Sequence, residues 1–202
     1  MMIDIDTLLA WGATYRKVKA GEIIFKEGDH LLFYYQLVSG KLRWINITEE
    51  GKEFIQFIVD PGECFGELPL FDGMPYAATA VAAEDAVVIR LHQSSFQQLL
   101  KENFEIHFAF SKLLTQMLRF KFLVLKEMAC HDPEQRILAL LNYFRETHKN
   151  ICSKCNQLQL TRQQIADMTG LRVETVIRVI RHLQEKGELI INKGKIFYEE
   201  IV

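Results

Sequence analysis

Four polar residues near the C-terminal end of the 202-residue chain recur at spacings of three and four, namely Glu174, Thr175, Arg178 and Arg181. On an α-helix this spacing brings side chains to one face. Arg can donate two hydrogen bonds to guanine O6 and N7, and Glu can accept one from cytosine N4. Any solvated helix carries charges, but these residue types also match base edges. The set therefore favours double-stranded DNA as the partner.

The surrounding sequence predicts the elements that would present this face. Thr161 followed by Gln164 is a capping-box pattern, so a helix should begin at Thr161. Gly170 is typical of a helix end, and the second, amphipathic helix that follows is closed by Gly187. Two short helices joined through a glycine predict a helix-turn-helix. Apolar segments on both sides of residues 192–195 then predict a hairpin, which forms a wing.

The net charge of −2 argues only weakly against a nucleic-acid partner, because the charge is unevenly distributed. Residues 1–132 carry 13 Lys and Arg against 18 Asp and Glu, whereas residues 133–202 carry 11 against 8. The predicted helix-turn-helix thus lies in the basic part of the chain, as phosphate binding requires. With 49% hydrophobic and 25% charged residues, the composition is that of an ordinary globular protein.

Neither a membrane span nor a secretion signal is expected from the sequence. Charges interrupt every apolar stretch before it reaches the roughly 18 residues of a membrane helix. The N-terminal segment MMIDIDTLLAWG is acidic and lacks the layout of a signal peptide. We therefore expect a cytoplasmic protein without a membrane partner, in which Cys64, Cys130, Cys152 and Cys155 are reduced.

Cys152 and Cys155 form a C-x-x-C pattern, with His148 four residues before it. A structural zinc site needs four ligands and only three residues cluster here, so no metal site is predicted. A surface turn is the preferred interpretation. The alternative is that this pair senses redox state or a metal.

The N-terminal half changes to short strands separated by glycine-containing turns. The strands are predicted at residues 22–25, 33–38, 42–47, 54–59, 79–83 and 86–91. Such regular spacing predicts an antiparallel barrel or jelly roll. A jelly roll can also be a cupin-type metalloenzyme, but this segment has only His30 and His92, far apart, and no H-x-H pair. No nucleophile stands beside a base either, so we expect no catalytic residues and no enzyme.

The chain resembles a known family, the Crp/Fnr superfamily of bacterial transcription regulators, over nearly its whole length. Residues 173–178, VETVIR, are similar to the family's recognition-helix core, especially in the Fnr-like branch. The glycines of the N-terminal half, including the motif Gly66-Glu67-Leu68, resemble the cyclic-nucleotide-binding β-roll. The resemblance implies an α+β chain with a β-roll sensor, a long dimerisation helix and a winged helix-turn-helix.

The resemblance also implies partners and DNA-contacting residues. Glu174 and Arg178 are expected to read a G·C-containing half-site of a pseudo-palindrome, and RNA polymerase is expected as a further partner. Arg172 replaces the usual Ser or Thr helix cap, and Ile177 replaces a Ser of the Fnr-like branch. The full set expected at DNA is Thr161, Arg162, Arg172, Val173, Glu174, Thr175, Ile177, Arg178, Arg181 and Lys193.

The expected effector site departs from the family's cyclic-nucleotide binders. Their motif opens with Gly-Glu-Leu and ends in Arg followed by Ser or Thr, which hold the cyclic phosphate. Here Tyr76-Ala77 stands at the end of the motif, and Lys121 and Phe122 stand where hydroxyl residues contact adenine. An effector other than cyclic AMP, or none, is therefore expected, and no cofactor. Lys121 could bind the phosphate of a different anionic ligand. In the alternative interpretation no ligand binds, and the site is filled by Tyr76, Phe122 and neighbouring apolar side chains. The candidate residues are Gly66, Glu67, Leu68, Tyr76, Ala77, Lys121 and Phe122.

A long helix is predicted from a cap at Asn103 to about Met128. One apolar stripe follows heptad spacing, and a second stripe, including Leu114 and Leu118, runs beside it. Two stripes need two packing partners, namely the β-roll and a second copy of the helix, so a homodimer is expected. The predicted dimer seam consists of Ile106, Phe110, Leu113, Met117, Phe120 and Val124.

A domain boundary is predicted near residue 132, with Cys130-His131 as the joint. Asp132 followed by Pro133 supplies a cap and a first-turn proline, so a new helix should begin there. The sensor domain with its dimerisation helix would span residues 1–131, and the winged helix-turn-helix residues 132–202.

Overall fold

A computed structural model describes residues 2–30, 32–129 and 132–198; the predicted joint at Cys130-His131 lies outside these residues. The elements, in chain order, are α1 (Ile5–Ala10), β1 (Thr14–Val18), β2 (Ile23–Phe25), β3 (Phe33–Ser39), β4 (Leu42–Ile47), β5 (Glu53–Val59), β6 (Cys64–Phe65), α2 (Leu68–Asp72), β7 (Thr79–Ala82), β8 (Ala86–His92), α3 (Gln93–Glu102), α4 (Phe104–Ala129), α5 (Pro133–Thr147), α6 (Arg162–Thr169), α7 (Val173–Glu185), β9 (Ile190–Asn192) and β10 (Lys195–Phe197).

The chain divides into two compact units, residues 1–115 and residues 116–202, so the long helix α4 contributes to both. The boundary predicted near residue 132 stays a prediction. Among the described residues, no helix is both long and apolar enough to cross a membrane.

Two four-stranded sheets form the first unit, in the orders β1-β8-β3-β6 and β2-β7-β4-β5. Neighbouring strands pair antiparallel, as in the register that sets Trp44 of β4 opposite Ala80 of β7. This arrangement confirms the predicted β-roll. The six predicted strands are present to within one or two residues. Strands β1 and β6 were not predicted, because β1 leaves most of its side chains exposed and β6 has only two residues.

Helices pack against the β3–β8 face of this unit and complete its core. The Tyr34 ring stacks on Phe96 of α3 with centroids 4.8 Å apart, and Phe110 of α4 meets Phe96 edge-on at 5.2 Å. All three side chains are fully buried. Asn103, predicted to cap α4, instead donates its side-chain amide to the Leu99 carbonyl at the end of α3, at 2.9 Å. The first turn of α4 is therefore closed by the Asn103 backbone carbonyl, which accepts from His107 at 3.1 Å.

This packing corrects the predicted dimer seam. Phe110 has no exposed surface, and Phe120 is 3% exposed and lies 4.4 Å from Tyr143 of α5, centroid to centroid. Neither ring can therefore contact a second copy. The other four predicted members of the seam, Ile106, Leu113, Met117 and Val124, are half-buried. Heptad spacing alone does not tell which stripe of a helix is covered by its own chain.

A different stripe of α4 is exposed. Phe104, Phe108, Leu118, Phe122 and Leu125 are between 56% and 72% exposed. Together with the exposed Ser111 and Thr115, they follow one another at spacings of four and three along the helix. This exposed seam, residues 104, 108, 111, 115, 118, 122 and 125, has the period of a coiled coil.

In the second unit, α5, α6 and α7 surround a core that includes Ile137, Ile165 and Val176. The predicted start of α5 is confirmed, because the Asp132 carboxylate accepts from the Glu134 amide at 2.9 Å. Strands β9 and β10 form the predicted wing. Isolated bridges between residues 157 and 197 and between residues 151 and 158 extend the hairpin toward the loop that precedes α6.

Candidate nucleic-acid interface

The two helices of the helix-turn-helix are shaped by local interactions that the sequence contains. The Thr161 hydroxyl accepts from the Gln164 amide at 3.1 Å, and the Gln164 side chain accepts from the Thr161 amide at 2.9 Å, which confirms the capping box. Gly170 ends α6 with φ +69°, a left-handed conformation that favours glycine. Ala166 on α6 and Val176 on α7 are completely buried. The small Ala166 lets the helices pack closely.

Helix α7 presents one apolar and one polar face. Its buried residues are Val176, Val179, Ile180 and Leu183. The predicted base-reading residues lie on the opposite side, where Glu174, Arg178 and Arg181 are exposed and Thr175 is half-buried. Ile177 is 36% exposed among them. The predicted residues therefore share one accessible face, which borders an open groove of about 720 Å³ toward the start of α5.

The start of α7 lacks a side-chain cap. Arg172 occupies the N-cap position and makes no capping hydrogen bond there. Its side chain is exposed, and Val173 beside it is half-buried. The first amides of α7 are thus left without the acceptor that a Ser or Thr would supply. The start of α7 is therefore less stable than it would be with Ser or Thr at this position. In exchange, Arg172 adds a positive charge.

Arg162 has a structural contact in addition to its predicted role at phosphates. Its guanidinium donates to the Gly194 carbonyl in the wing turn at 3.2 Å, and burial lowers the pKa of this guanidinium. Lys193 in the same turn is exposed, with φ +48°. Thr161, Arg162 and Lys193 therefore lie where α6 begins and the wing turns. The contact was not predictable, because it joins residues 32 positions apart.

Sequence reasoning missed Arg136 of α5. Its guanidinium donates to the Met128 carbonyl at 3.1 Å and to the Thr169 carbonyl at 3.0 Å. It thereby ties the last turn of α4 to the last turn of α6. A cation near free helix carbonyls is favourable, since the last carbonyls of a helix lack intrahelical donors. Backbone acceptors leave no mark in the sequence, so no pattern pointed to this residue.

The candidate effector site of the first unit is closed by aromatic rings. Tyr76 is 1% exposed and stacks on Phe25 with centroids 3.7 Å apart and ring planes 12° apart. A Cβ atom on Gly66 would lie 2.6 Å from Phe25 and 3.0 Å from Tyr76. Tyr76 is thus an interior filler, in agreement with the alternative that this part of the site is occupied by the protein itself.

Glu67 lies in the same interior and is completely buried. Neither of its carboxylate oxygens has a hydrogen-bond partner within the described parts of the chain. Burial raises the pKa of Glu67 to about 7. Leu68, which follows, is half-buried at the start of α2. The carboxyl group is therefore held in an environment that favours its neutral form.

Of the remaining effector candidates, Ala77 belongs to the first unit and Lys121 and Phe122 belong to the second. Ala77 is exposed and its carbonyl accepts from the Asn46 side chain at 2.8 Å. Lys121 belongs to the second unit, where burial lowers its pKa to about 8. Phe122 is 63% exposed, so its ring is not enclosed by the described residues of this chain. It belongs to the exposed seam of α4, which the pattern of the sequence does not distinguish from the buried stripes.

The C-x-x-C cysteines lie in a turn before α6, with Cys152 half-buried and Cys155 exposed. Within residues 2–30, 32–129 and 132–198, no group of three or more His, Cys, Asp or Glu side chains is placed to hold a metal ion.

Each of the two units contains a segment that matches a known domain family. Residues 15–103 match the cyclic nucleotide-binding domain family, and residues 135–198 match the Crp-like helix-turn-helix domain family. The cyclic AMP receptor protein of Thermus thermophilus is 29% identical, over 98% of this chain and 88% of that protein.

Solved structures show the same architecture. A transcriptional regulator of the CRP/FNR family from Thermus thermophilus is 26% identical, with a TM-score of 0.69 over 93% of this chain and 94% of that one. The c-di-GMP responsive global regulator CLP of Xanthomonas campestris has a TM-score of 0.76 over 96% and 97% of the two chains. At 21% identity, this second similarity shows the fold alone.

Proposed function

The chain belongs to the Crp/Fnr family of DNA-binding transcription regulators, and from this premise we propose that it binds a pseudo-palindromic site as a homodimer and responds to an effector other than cyclic AMP. The observation that supports DNA binding is the accessible face of α7, which carries the predicted base-reading residues. Its opposite face is anchored in the core by four buried apolar side chains.

Base reading is assigned to Arg178 and Glu174, and phosphate contact to Thr161, Arg162, Arg172 and Lys193. Phosphate contacts fix the position of a protein on the duplex, while contacts to base edges supply the sequence preference. Arg162 also holds the wing turn through the Gly194 carbonyl, so its replacement would disturb more than one contact. Replacement of Lys193 is therefore the better test of how much phosphate contacts contribute to DNA affinity.

Dimerisation is assigned to the exposed seam of α4. Its five large apolar residues are partly exposed in the single chain, and full burial against a second copy would stabilise the dimer by at most about 1.5–3 kcal/mol each, before the cost of association is subtracted. The rings of Phe104 and Phe108 already stack, with centroids 6.1 Å apart. An exposed apolar stripe of this length marks an interaction surface, and its heptad period fits a second copy of the same helix. A two-fold dimer would offer two recognition helices to successive turns of DNA.

The effector is proposed to be something other than cyclic AMP or cyclic GMP. Tyr76 stands where the cyclic-nucleotide binders of the family carry the arginine that holds the phosphate, and its ring is stacked inside the roll. Burying a phosphate charge without a counter-charge costs several kcal/mol. The names of the relatives mention cyclic AMP in one case and c-di-GMP in another, so family membership leaves the effector open.

The remaining parts of the proposal follow from the family alone. A regulator of this kind would act in the cytoplasm, contact RNA polymerase and have no enzymatic activity. None of these three points depends on the geometry of α7.

The proposed function is tested by selection of duplexes from a randomised DNA library with the purified protein. We expect enrichment of two inverted half-sites, each with a G·C pair, whose centres lie about one helical turn or 34–36 Å apart. Enrichment of a single unsymmetrical site would contradict the dimer, and the absence of enrichment would contradict sequence-specific binding. Calorimetry with cyclic AMP and cyclic GMP should show no binding heat, and binding of either that also tightens DNA binding would contradict the effector assignment.

A further inference from the structure

The two C-x-x-C cysteines occupy one tight turn. The Cys152 amide donates to the Gln157 carbonyl at 2.8 Å, and the Asn156 amide donates to the Cys152 carbonyl at 2.9 Å. The second bond closes a single helical-type turn, in which residues three apart lie on the same side. The Cα atoms of such residues are within about 7 Å of each other. A disulfide can span that separation.

The chemistry of the turn favours reaction at Cys152. A hydrogen bond from the Cys155 thiol, followed by hydrogen bonds from the backbone amides of Lys154 and Cys155, lowers the pKa of the Cys152 thiol. The thiolate is the nucleophilic form of cysteine, so a lower pKa raises the reactive fraction at neutral pH. Cys155 is exposed and lies beside it as the second thiol.

The turn is joined to the wing by backbone hydrogen bonds. The Tyr198 amide donates to the Asn156 carbonyl at 3.1 Å, and the Leu158 amide donates to the Ile196 carbonyl at 2.9 Å. From Leu158 the chain continues directly to Thr161, the cap of α6. A restraint on the turn is therefore transmitted to β10 and to the first helix of the helix-turn-helix.

We propose that Cys152 and Cys155 form a redox-active dithiol that hydrogen peroxide converts to a disulfide, and that the disulfide strengthens DNA binding by restraining the wing and the start of α6. The second half of this proposal rests on the proposed DNA binding.

The reaction proceeds in two balanced steps. The Cys152 thiolate attacks one peroxide oxygen, the O–O bond breaks, and a sulfenic acid forms while hydroxide leaves and takes up a proton to give water. The Cys155 thiol then attacks the Cys152 sulfur, the S–S bond forms and the S–O bond breaks, and the departing hydroxide takes the Cys155 proton as a second water. Two sulfur atoms together lose two electrons, which the peroxide accepts. An added dithiol reverses the change.

The disulfide is not expected to block DNA. Residue 156 is bonded to residue 198 at one end of the wing hairpin, whereas the turn with Lys193 lies at the other end. The disulfide would reduce the conformational entropy of the wing in the unbound protein. Less entropy would then be lost on binding DNA, so the affinity would rise. Because no base-reading residue is changed, the gain should be the same for all DNA sequences.

The dithiol is tested by mass spectrometry of the full-length protein treated with hydrogen peroxide. Cleavage by trypsin after Lys149, Lys154 and Arg162 separates the two cysteines, so an internal disulfide links peptides 150–154 and 155–162. We expect this linked pair in the wild type and in Cys64→Ser, and its loss after treatment with dithiothreitol. Cys152→Ser and Cys155→Ser should not form it. Absence of the linked pair from the wild type, under conditions that oxidise other thiols of the chain, would overturn the proposal.

The coupling to DNA is tested by fluorescence anisotropy with the reduced and the oxidised protein. Oxidation should tighten binding by about threefold or more, equally for selected and random duplexes. Cys155→Ser, changed at an exposed position, should bind as the reduced wild type does and should not respond to peroxide. Equal affinity of the two wild-type forms would overturn the coupling. If neither the reduced nor the oxidised protein binds DNA, the proposed function fails, and the peptide linkage still decides whether the dithiol forms.

Discussion

At the scale of single residues, function and pH dependence follow from which charged side chains are exposed and which are buried. Arg178 and Glu174 are exposed beside apolar neighbours on α7, and Glu67 is buried without a partner among the described residues. Exposure makes the first two available to a ligand. Burial makes Glu67 a source of pH dependence. Each situation leads to a measurable change when the side chain is replaced.

Replacement of Arg178 by Ala should reduce affinity for the selected site by about 1–3 kcal/mol and relax the preference at one guanine. The reason is the loss of a two-bond contact to a base edge. Lys193→Ala is the matched control, because it should weaken binding to all sequences alike and reduce the salt dependence. Anisotropy titrations on duplexes with single base changes distinguish the two. If Arg178→Ala keeps the original preference, the recognition assignment is wrong.

Glu67 should make the protein less stable as the pH rises. Its pKa is raised to about 7 in the folded state from an ordinary value of 4.5. Between these values the folded state keeps a proton that the unfolded state releases, so the free energy of unfolding falls with increasing pH. The total loss, complete above about pH 7, corresponds to roughly 3 kcal/mol.

Urea denaturation of the wild type and of Glu67→Gln over this pH range measures the effect. The variant carries no ionisable group at this position, so its stability should fall less than that of the wild type between about pH 5 and pH 8. The exposed Glu105→Gln should follow the wild type. Parallel curves for the wild type and Glu67→Gln would show that the carboxyl group is not held neutral in the fold.

At the scale of elements, the helix ends determine how the DNA-binding unit is held together. Helix α6 has a complete capping box, α5 has an Asp cap followed by Pro133, and α7 has neither. Arg136 connects the last turns of α4 and α6 through two backbone carbonyls. The uncapped start of α7 is therefore the weak helix end of this unit, and it coincides with a surface assigned to DNA.

Replacement of Arg172 by Ser should stabilise the protein by about 1 kcal/mol, because the hydroxyl would accept from an amide in the first turn of α7. The same change removes a positive charge, so DNA affinity should fall and depend less on salt. Arg181→Ser removes the same charge within α7 and should not stabilise. Urea denaturation and anisotropy titration of both variants provide the test. A lower free energy of unfolding for Arg172→Ser would contradict the description of this helix end.

At the scale of the whole molecule, function depends on whether two copies associate through the exposed seam of α4. That association would supply the second recognition helix that a pseudo-palindromic site requires. The buried Phe110 and Phe120 are unsuitable probes, because a charge at either position would disrupt the core of a single chain.

Leu118→Glu, alone or with Leu125→Glu, should produce folded monomers. Both leucines are exposed in the single chain, so a charge is tolerated there but not in an apolar interface with a second copy. Sedimentation velocity measures the change, and DNA affinity should fall sharply in parallel. Gln116→Glu, an exposed position outside the seam, is the matched control and should remain dimeric. An unchanged dimer for the double variant would contradict the seam.

The sequence by itself determined the features that depend on neighbours along the chain. The capping box at Thr161, the glycine at the end of α6, the wing turn and the six predicted strands all follow from residues within a few positions of each other. The polar face of α7 was predictable for the same reason, since helical spacing alone sets which side chains share a face. These features were sufficient to indicate the family and its DNA-binding unit.

Only the tertiary structure decided the features that depend on distant parts of the chain. It showed that Phe110 and Phe120 are buried in the chain itself, that Tyr76 stacks on Phe25, and that Arg136 reaches two helix ends. Several apolar stripes of α4 have the same heptad period, so the sequence pattern cannot tell which of them is covered. The choice is made by the shape and volume of the packing partners, and these are brought together only when the chain folds.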